Sequence, residues 1–598
     1  MHALVRVLPG AVLIVGLVTP WGTTRAADHP NATPRSGARR PNVLIYLVDT
    51  LRADHLGLYG YDQKTSPGLD AWAAGGVVFD RAYAPTSWTR PSVVSLLTGL
   101  DAISHGVEDR LDVIPDEVRL LSERLHANGY ATFAAVTNPN VLPEWGFARG
   151  YERYDDLDSV GHGTRADAVS DFVVGRMDEL ARRQPFFFYV HVIDPHAPYD
   201  PPPPFDTRFP PVPALPAKLS TGRYDGEVAF VDAQFARIVD ALRVRGLEDD
   251  TMVVFVADHG EEILDHGGFG HGSTLFEEVV RVPLVIRFPG GAHAGRRVGA
   301  LASLIDVTPT ILAALGQPPP PDLDGRDLTE VLGADDSRWA DRRLFLSLAT
   351  TGPESRLIRG VVGSRYKYLR DTRPASSERL FDLEHDPRER ASAAPAEPDL
   401  RARSSAALDT HLARRANGIH LRVVHDPRGT PVGCEALVTT TGRFVDVAGV
   451  RLETEDRFEL SADRRRLRLH ARLENRTQSL LEGTRRVPDE DGLVIEIDPP
   501  GATVTVEQLE LDHERPVPLA AGARREPQPL PFAFDPTAGP WSVRDADALL
   551  EDGEASPNAT TRAYVGVIRS PAAPASLPTP LVDRLRALGY LPTPRGAP

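Results

Sequence analysis

The chain has 598 residues, of which 41% are apolar and 25% charged, a composition typical of a globular protein with more than one domain. Its net charge of −16 excludes a chain-wide basic surface and argues against nucleic acid as a partner. The single cysteine, Cys434, excludes an internal disulfide, and its strand-like surroundings predict a buried, unreactive thiol.

Residues 1–27 have the pattern of an export signal peptide. Arg6 precedes an apolar stretch within residues 8–21, and the small residues Ala26 and Ala27 follow it. The stretch is shorter than the roughly 20 residues that a membrane-spanning helix needs, so an uncleaved anchor is the less favoured alternative. We therefore expect export to the periplasm or the extracellular space, with no membrane span after signal removal. Residues 28–40 are predicted to form a polar linker.

Apolar runs and amphipathic segments alternate over residues 41–410. The predicted strands are residues 42–48, 131–136, 186–193, 252–257, 284–288 and 344–348, and the predicted helices are residues 117–128 and 225–242. Nearly unbroken apolar runs are typical of strands buried on both faces. The pattern predicts an α/β domain with a large central sheet flanked by helices.

Polar side chains follow three of these strands directly. They are Asp49 after the first, Asp194 and His196 after the third, and Asp258 and His259 after the fourth. In open α/β sheets, ligands bind at the carboxyl ends of the strands. We therefore expect these residues to meet at one edge of the sheet.

The chain changes character after residue 410. Residues 411–514 contain short runs of alternating polarity, such as residues 466–473, and are predicted to form a β-rich module. Residues 515–598 are rich in Pro, Ala and Arg and are predicted to be a loop-rich tail. A short helix at residues 581–588 is expected near its end.

Asp49, Asp258 and His259 form a candidate metal site. Carboxylates and an imidazole together suit Zn²⁺, Mn²⁺ or Ca²⁺. A strand-end aspartate also caps turns, and an Asp-His pair alone has little specificity. The segment DHGE after an apolar strand is more specific than either feature.

The segment SWTRPSVVSLLTGL, residues 87–100, places hydroxyl groups at the start of a predicted helix. Backbone N–H groups at a helix N-terminus stabilise anions, and a nearby metal ion activates a hydroxyl as a nucleophile. Thr89 is the candidate nucleophile. The simpler interpretation, that Ser87, Thr89 or Ser92 caps the helix, is equally open from this segment.

His196 and His271 are candidates for binding the anion or protonating the leaving group. Structural hydrogen bonds are the alternative role for each histidine. Arg52, Arg90 and Lys367 are weaker candidates for neutralising an anionic ester, with the protein surface as the alternative location for all three.

Eight segments resemble the sulfatase family of the alkaline-phosphatase superfamily in sequence, order and spacing. They span Pro41 to about Pro387 and read PNVLIYLVDTLRADHLGLYGY, SWTRPSVVSLLTG, HVIDPHAPY, VADHGEEILDHGGFGHG, VRVPLVIRFPG, IDVTPTIL, LDGRDL and RLFDLEHDP. The terminal RLRALGYL is similar to the tail of many bacterial members.

The resemblance implies a large mixed sheet with a smaller C-terminal subdomain, and one divalent cation, most often Ca²⁺. Carried over by motif, Asp49, Asp258, His259 and Thr89 are implied as metal ligands. Thr89 occupies the nucleophile position, and His196 and His271 match the anion-binding and acid roles.

Three positions depart from the family pattern. Threonine at position 89 is not a substrate for conversion to formylglycine, so we expect none. Val93 replaces the motif's arginine, and Thr50 replaces the second aspartate of the first strand. These changes resemble the relatives that use a threonine nucleophile, the nucleotide phosphodiesterases and the phosphoglycerol or phosphoethanolamine transferases.

The sequence thus predicts a metal-dependent hydrolase of sulfate or phosphate esters, acting on a small molecule or a glycan. Two alternatives remain open. One is a phosphoryl transferase with the same site, and the other is a non-catalytic binding protein that kept the fold.

Overall fold

The computed structural model describes residues 40–158, 165–210, 219–320, 323–333, 337–349, 356–373, 376–414, 418–425, 432–450, 456–473, 476–480, 483–487, 489–499, 501–512, 515–521, 524–536, 561–568 and 577–587. The predicted signal peptide and all but the last residue of the predicted linker lie outside these ranges.

The first part of the chain forms a nine-stranded mixed sheet and a short hairpin. In chain order the strands are β1 (Asn42–Val48), β2 (Val77–Tyr83), β3 (Ala131–Val136), β4 (Arg153–Asp156), β5 (Phe186–Val192), β6 (Thr251–Ala257), β7 (Glu262–Ile263), β8 (Phe269–Gly270), β9 (Arg281–Val282), β10 (Leu284–Arg287) and β11 (Arg296–Ser303). The order across the sheet is β11-β2-β10-β6-β1-β5-β3-β4, with β9 beside β2, while β7 and β8 pair with each other.

The central strands β6, β1, β5, β3 and β4 are all parallel, whereas β10 runs antiparallel between β6 and β2. Every residue of β1, β3, β5 and β6 is buried, as their apolar runs predict. Parallel neighbours end on the same edge of a sheet, so the loops after β1, β5, β3 and β6 meet there. Asp49, Asp258 and His259 lie at this edge.

Twelve α-helices belong to the described residues. They are α1 (Pro67–Ala73), α2 (Thr89–Thr98), α3 (Ala102–His105), α4 (Leu121–Ala127), α5 (Ala166–Val174), α6 (Met177–Arg182), α7 (Thr221–Val244), α8 (Glu277–Val280), α9 (Val307–Ala314), α10 (Ser337–Ala340), α11 (Pro398–Arg414) and α12 (Thr579–Ala587). Short 3-10 turns lie at Ala53–His55, Gly57–Tyr59, Pro139–Val141, Pro143–Trp145, Phe205–Thr207, Pro289–Gly291, Leu304–Asp306 and Leu328–Leu332.

Two helix predictions differ from the structure at their ends. The segment predicted as helix 117–128 turns first and becomes helical only at Leu121, because the Glu123 carboxylate accepts a hydrogen bond from the N–H of Leu120 and caps the helix there. The segment predicted as helix 225–242 is longer, extending from Thr221 to Val244.

A second, antiparallel sheet contains β12 (Leu344–Ala349), β13 (Leu357–Val362), β14 (Tyr366–Arg373) and β15 (Ser377–Asp382). The predicted strand 344–348 therefore exists but belongs to this sheet and not to the central one. Helix α11 contributes Leu400 and Leu408 to the apolar cluster on one face of the sheet. Because α11 continues to Arg414, the predicted domain boundary at residue 410 falls inside a helix.

The remaining strands form a β-sandwich and one separate hairpin. They are β16 (Gly418–His425), β17 (Val432–Thr440), β18 (Arg443–Val450), β19 (Arg457–Leu460), β20 (Arg466–Leu473), β21 (Arg476–Leu480), β22 (Gly483–Val487), β23 (Asp489–Asp498), β24 (Val504–Leu511), β25 (Arg515–Pro516), β26 (Leu519–Ala521), β27 (Arg524–Gln528), β28 (Phe532–Phe534) and β29 (Thr561–Ile568). One sheet has the order β18-β23-β16-β29-β26-β27, and the other has β19-β20-β17-β24-β25 with β28 beside β24.

Alternating side chains of both sheets fill one apolar core, in which Cys434 is buried as predicted. The predicted loop-rich tail after residue 514 is wrong for its described parts, since β29 lies in the middle of a sheet between β16 and β26. Its sequence, TRAYVGVI, contains the apolar alternation that the surrounding Pro and Ala obscured.

Helix α12 returns to the first part of the chain. Leu581 and Leu585 belong to the core of the central sheet, and Arg584 pairs with Asp156 at the end of β4 at 2.8 Å. Among the described residues, none of the helices is both long enough and apolar enough to span a membrane.

The position of β29 gives a stability prediction. Val565 is 2% exposed, so Val565→Ala removes two buried methyl groups and leaves a cavity. We expect it to lower the free energy of unfolding by about 2 kcal/mol, measured by chemical denaturation. Arg468→Ala, on the exposed face of β20, is the matched control and should be neutral. An unchanged free energy of unfolding in Val565→Ala would favour the predicted loop-rich tail over a buried strand.

Candidate active site

The predicted metal ligands come together at the carboxyl edge of the central sheet. Asp49 follows β1, and Asp258 and His259 follow the neighbouring strand β6, where Val48 lies opposite Ala257. All three side chains are fully buried. Each offers one ligand atom within 4.8 Å of the others.

The ring of His259 is oriented by its backbone. Its Nδ1 lies 2.9 Å from the Gly260 carbonyl and donates to it, which leaves the Nε2 lone pair directed at the two carboxylates. Nε2 lies 3.5 Å from Asp49 Oδ1 and 3.5 Å from Asp258 Oδ2. Burial lowers the pKa of His259 to about 3, so the imidazole is neutral and able to bind a cation.

The two carboxylates influence each other strongly. Burial, followed by the charge of Asp49, raises the pKa of Asp258 well above its usual range. Burial also opposes ionisation of Asp49, but the surrounding imidazoles of His191, His259 and His196 outweigh it and lower the pKa of that carboxyl. Two buried carboxyl groups at this spacing therefore cannot both ionise at low cost without a positive charge between them.

The hydrogen bonding at the site agrees with a cation-binding role. Asp49 Oδ1 and Asp258 Oδ2 are both buried and accept no hydrogen bond from any residue in the described part of the chain. Hard divalent cations take carboxylate oxygens of this kind as ligands. The residues present therefore fit a divalent metal ion, with His259 Nε2 as a third ligand atom.

Thr89 is the first residue of α2 and lies beside this group. Its Oγ1 is 3.3 Å from His259 Nε2 and 3.5 Å from Asn138 Nδ2. The residue that precedes the helix is Trp88, and no side chain caps the helix start. The Ser92 hydroxyl donates to the Thr86 carbonyl instead. The capping interpretation of Thr89 thus has no support in the structure.

The two predicted histidines lie next to each other. The rings of His196 and His271 meet edge to face with centroids 5.0 Å apart, and the His271 ring lies 4.4 Å from that of His259. His271 Nδ1 is 2.8 Å from a carboxylate oxygen of Glu261. Although burial opposes its charge, the Glu261 carboxylate raises the pKa of His271, which favours a protonated ring that donates to an anion.

The contacts of the three predicted substrate-binding cations argue against that role. Arg52 pairs with Asp265 at 2.6 Å and Asp54 at 2.8 Å. Arg90 stacks on Trp145 at 3.4 Å from the ring centroid.

Lys367 also forms ion pairs with two carboxylates. It is fully buried, with Nζ 3.2 Å from Glu277 and 3.1 Å from Glu389. Each of the three cations therefore holds the fold together, because its charge is already matched or stacked.

Sequence reasoning missed three residues of the site. Asn138 follows β3 and donates a hydrogen bond to Asp49 Oδ2. His191, the sixth residue of β5, places Nε2 3.6 Å from the same oxygen, and Glu261 orients His271. The strand-end position of Asn138 was a usable signal, since it is the same signal that identified Asp49.

Two family models match the chain. Residues 41–317 match the Sulfatase model, and residues 265–413 match a model described as N-sulphoglucosamine sulphohydrolase, C-terminal. Human N-acetylgalactosamine-6-sulfatase is 28% identical over 391 residues, covering 55% of this chain and 72% of the relative. An arylsulfatase of Clostridium perfringens is 24% identical over 436 residues, covering 58% of this chain and 89% of the relative.

The fold resembles those of two solved phosphonate monoester hydrolases. A phosphonate monoester hydrolase of Agrobacterium radiobacter matches with a TM-score of 0.55 and 24% identity, covering 63% of this chain and 96% of its own. The corresponding enzyme of Silicibacter pomeroyi matches with a TM-score of 0.54 and 21% identity, covering 63% and 96%. At these identities the likeness is one of fold. The predicted α/β fold class, with a large mixed central sheet like that of sulfatases, is thereby confirmed.

The carboxylate pair gives a prediction for metal binding. Asp258→Asn removes one of the two charges, and we expect it to weaken binding of Ca²⁺, Mn²⁺ or Zn²⁺, tested in turn by calorimetry, by about 100-fold or more, because even partners that only orient ligands contribute about 10- to 100-fold. Asp250→Asn, at the exposed end of the loop before β6, is the control and should bind as the wild type does. Equal affinity in both variants would exclude this group as the metal site.

Proposed function

Because the chain belongs to the sulfatase family, we propose that it is a metal-dependent hydrolase of phosphate or sulfate esters in which Thr89 is the nucleophile. The single observation that carries this proposal is the position of the Thr89 hydroxyl. It lies 3.3 Å from His259 Nε2, against a buried group whose two carboxylates have unsatisfied oxygens.

Asp49, Asp258 and His259 would hold the cation, with Thr89 Oγ1 as a further ligand. Ca²⁺ is the expected ion by family, and Mn²⁺ and Zn²⁺ suit the same ligand types. When bound, such an ion supplies positive charge that lowers the pKa of a nearby hydroxyl and offsets the charge of an anionic ester.

The residues of the chain supply the remaining functions. The Asn138 amide donates to Asp49 Oδ2 and fixes the carboxylate beside the nucleophile. Thr89 stands at the N-terminus of a ten-residue helix, where free backbone N–H groups favour an anion. His271, whose Nδ1 contacts Glu261, would donate a proton to the leaving oxygen, with His196 beside it.

Threonine at position 89 favours phosphate over sulfate esters. Val93 is fully buried in α2 and offers no hydrogen bond to an anion or to a formylglycine hydrate. Without formylglycine, attack by Thr89 transfers the acidic group to threonine, and water must then displace it. Water attacks a phosphoryl threonine at phosphorus, whereas release by collapse of an aldehyde hydrate is closed to a sulfated threonine.

The substrate class and the location of the protein are also proposed. A small-molecule or glycan ester is the proposed substrate, and the N-terminal sequence supports export to the periplasm or the extracellular space. An alcohol in place of water would make the same site a transferase. The substitutions at positions 50 and 93 are the features that a non-catalytic binding protein would explain.

The test compares turnover of an aryl sulfate, an aryl phosphate and a bis-aryl phosphodiester by the metal-loaded protein. We expect phosphate or phosphodiester turnover, and a loss of kcat/KM of about a thousandfold or more in Thr89→Ala, because the nucleophile is gone.

Ser92→Ala is the matched control for that variant. It removes another buried hydroxyl from the same helix and should keep most of the activity. Turnover of the aryl sulfate alone would contradict the preference for phosphate, and no turnover by protein with bound metal would favour a binding protein.

A further inference from the structure

A cavity of about 310 Å³ lies between the central sheet and the second sheet. Its wall includes Arg81 and Tyr83 of β2, Arg281 of β9, and Ser364 in the turn between β13 and β14. None of its described lining residues belongs to the candidate active site. The volume is at the lower end of the range for small-molecule sites, about 300–1,000 Å³, so the cavity has room for a compact ligand.

The register of β2 and β9 brings two arginines to the same face of the sheet. Side chains along a strand alternate between the faces, so Arg81 and Tyr83 share one face. Tyr83 lies opposite Arg281 of the antiparallel strand β9, which makes Arg81 and Arg281 diagonal neighbours. Diagonal neighbours on one face are about 7–8 Å apart, so two positive charges at these positions are close enough to repel each other.

Neither of these arginines has a carboxylate partner within the described part of the chain. Arg81 donates one hydrogen bond, to the Gly363 carbonyl at 3.2 Å, and Arg281 donates one, to the Asp80 carbonyl at 2.9 Å. A guanidinium has five N–H donors, so most donors of both residues have no acceptor among the described residues. Arg281 Nε is buried and also has none, which is uncommon for a buried donor in a folded protein.

The two carboxylates in the cavity wall, Glu277 and Glu384, are matched by other cations. Glu277 pairs with Lys367 at 3.2 Å, and Glu384 pairs with Arg365 at 3.4 Å. The positive charges of the two diagonal arginines therefore have no counter-charge among the described residues, although the net charge of the whole chain is −16. An anion bound in the cavity would supply that counter-charge.

We propose that this cavity is a second anion site, in which Arg81 and Arg281 together bind a phosphate or sulfate group carried on a small organic molecule. A tetrahedral oxyanion offers oxygens to both guanidiniums, and its charge offsets their repulsion. The organic part of the ligand would lie against Leu383 and Pro387, the apolar residues of the wall. Neither the candidate metal group nor Thr89 takes part in this binding.

Labelling with phenylglyoxal, a reagent that modifies arginine, tests the site residue by residue. Metal-loaded protein is labelled with and without inorganic sulfate, digested, and analysed by mass spectrometry. At a sulfate concentration about ten times the dissociation constant, we expect modification of Arg81 and Arg281 to slow about tenfold, because only unoccupied sites react. Arg297, exposed on β11 and paired with Asp80, is the internal control and should react at one rate throughout. Equal rates at Arg81 and Arg281 with and without sulfate would overturn the inference.

Calorimetric titration with inorganic sulfate tests the same site without a label. We expect Arg81→Gln to raise the dissociation constant about 10- to 100-fold, as loss of one hydrogen-bonded charge does. Arg297→Gln is the matched control and should bind sulfate as the wild type does. Binding at the cavity should also persist in His271→Ala, which changes only the candidate active site. Equal affinity in Arg81→Gln and the wild type would overturn the inference. If the thermal unfolding temperature shows that Arg81→Gln is misfolded, labelling of the wild type decides.

A further comparison identifies the source of the anionic group. Inorganic sulfate and glucose 6-sulfate are compared as protecting ligands in Thr89→Ala protein, which lacks the proposed nucleophile and should leave the ester intact. Protection of Arg81 and Arg281 at lower concentrations of glucose 6-sulfate than of sulfate would support an organic ligand. Equal protection by both would overturn the organic part of the proposal and assign the cavity to a free oxyanion. Protection by neither would overturn the site itself.

Discussion

Two buried carboxylates with no charge between them are the constraint on which the site depends. The parallel register of β1 and β6 sets Val48 opposite Ala257, and so delivers Asp49 and Asp258 to adjacent positions with no access to water. A protein does not place two such groups together without compensation, because burying an unpaired charge costs several kcal/mol. A bound cation would offset that cost. The neutral His259 ring is already oriented so that Nε2 could bind the same cation.

The rest of the fold brings distant segments to this point. Four parallel strands end at one edge, so residues as far apart in the chain as Asn138 and His259 contact Thr89, and Asn138 also donates to Asp49. Other polar contacts near the site fix the positions of its loops. Arg52, for example, contacts the Glu261 carbonyl while it pairs with Asp265, and so supports the carboxylate that orients His271.

The central strands and the candidate metal group could be predicted from the sequence. Other features of the site and fold could not, for physical reasons. Strands β1, β3, β5 and β6 were recognisable because burial on both faces requires unbroken apolar runs. The residues of the candidate metal group were recognisable because they follow those strands. Asn138 and Glu261 were missed because their roles depend on which side chain they meet, and β29 was missed because its pairing with β16 spans more than 130 residues. The substrate-binding role of Arg52, Arg90 and Lys367 stays a prediction, because a charged residue near a motif does not reveal which buried partners it contacts.

Trapping the adduct in which Thr89 carries the transferred group is the most direct test of the proposed nucleophile. The metal-loaded protein is mixed with excess aryl phosphodiester, quenched in acid within the first turnovers, digested, and analysed by mass spectrometry. We expect the peptide that contains Thr89 to carry an aryl-phosphoryl group on that residue, because attack on the diester expels one aryl alcohol and leaves the other bonded to phosphorus. Steady turnover with an unmodified peptide at every quench time, or with the modification on another residue, would contradict it.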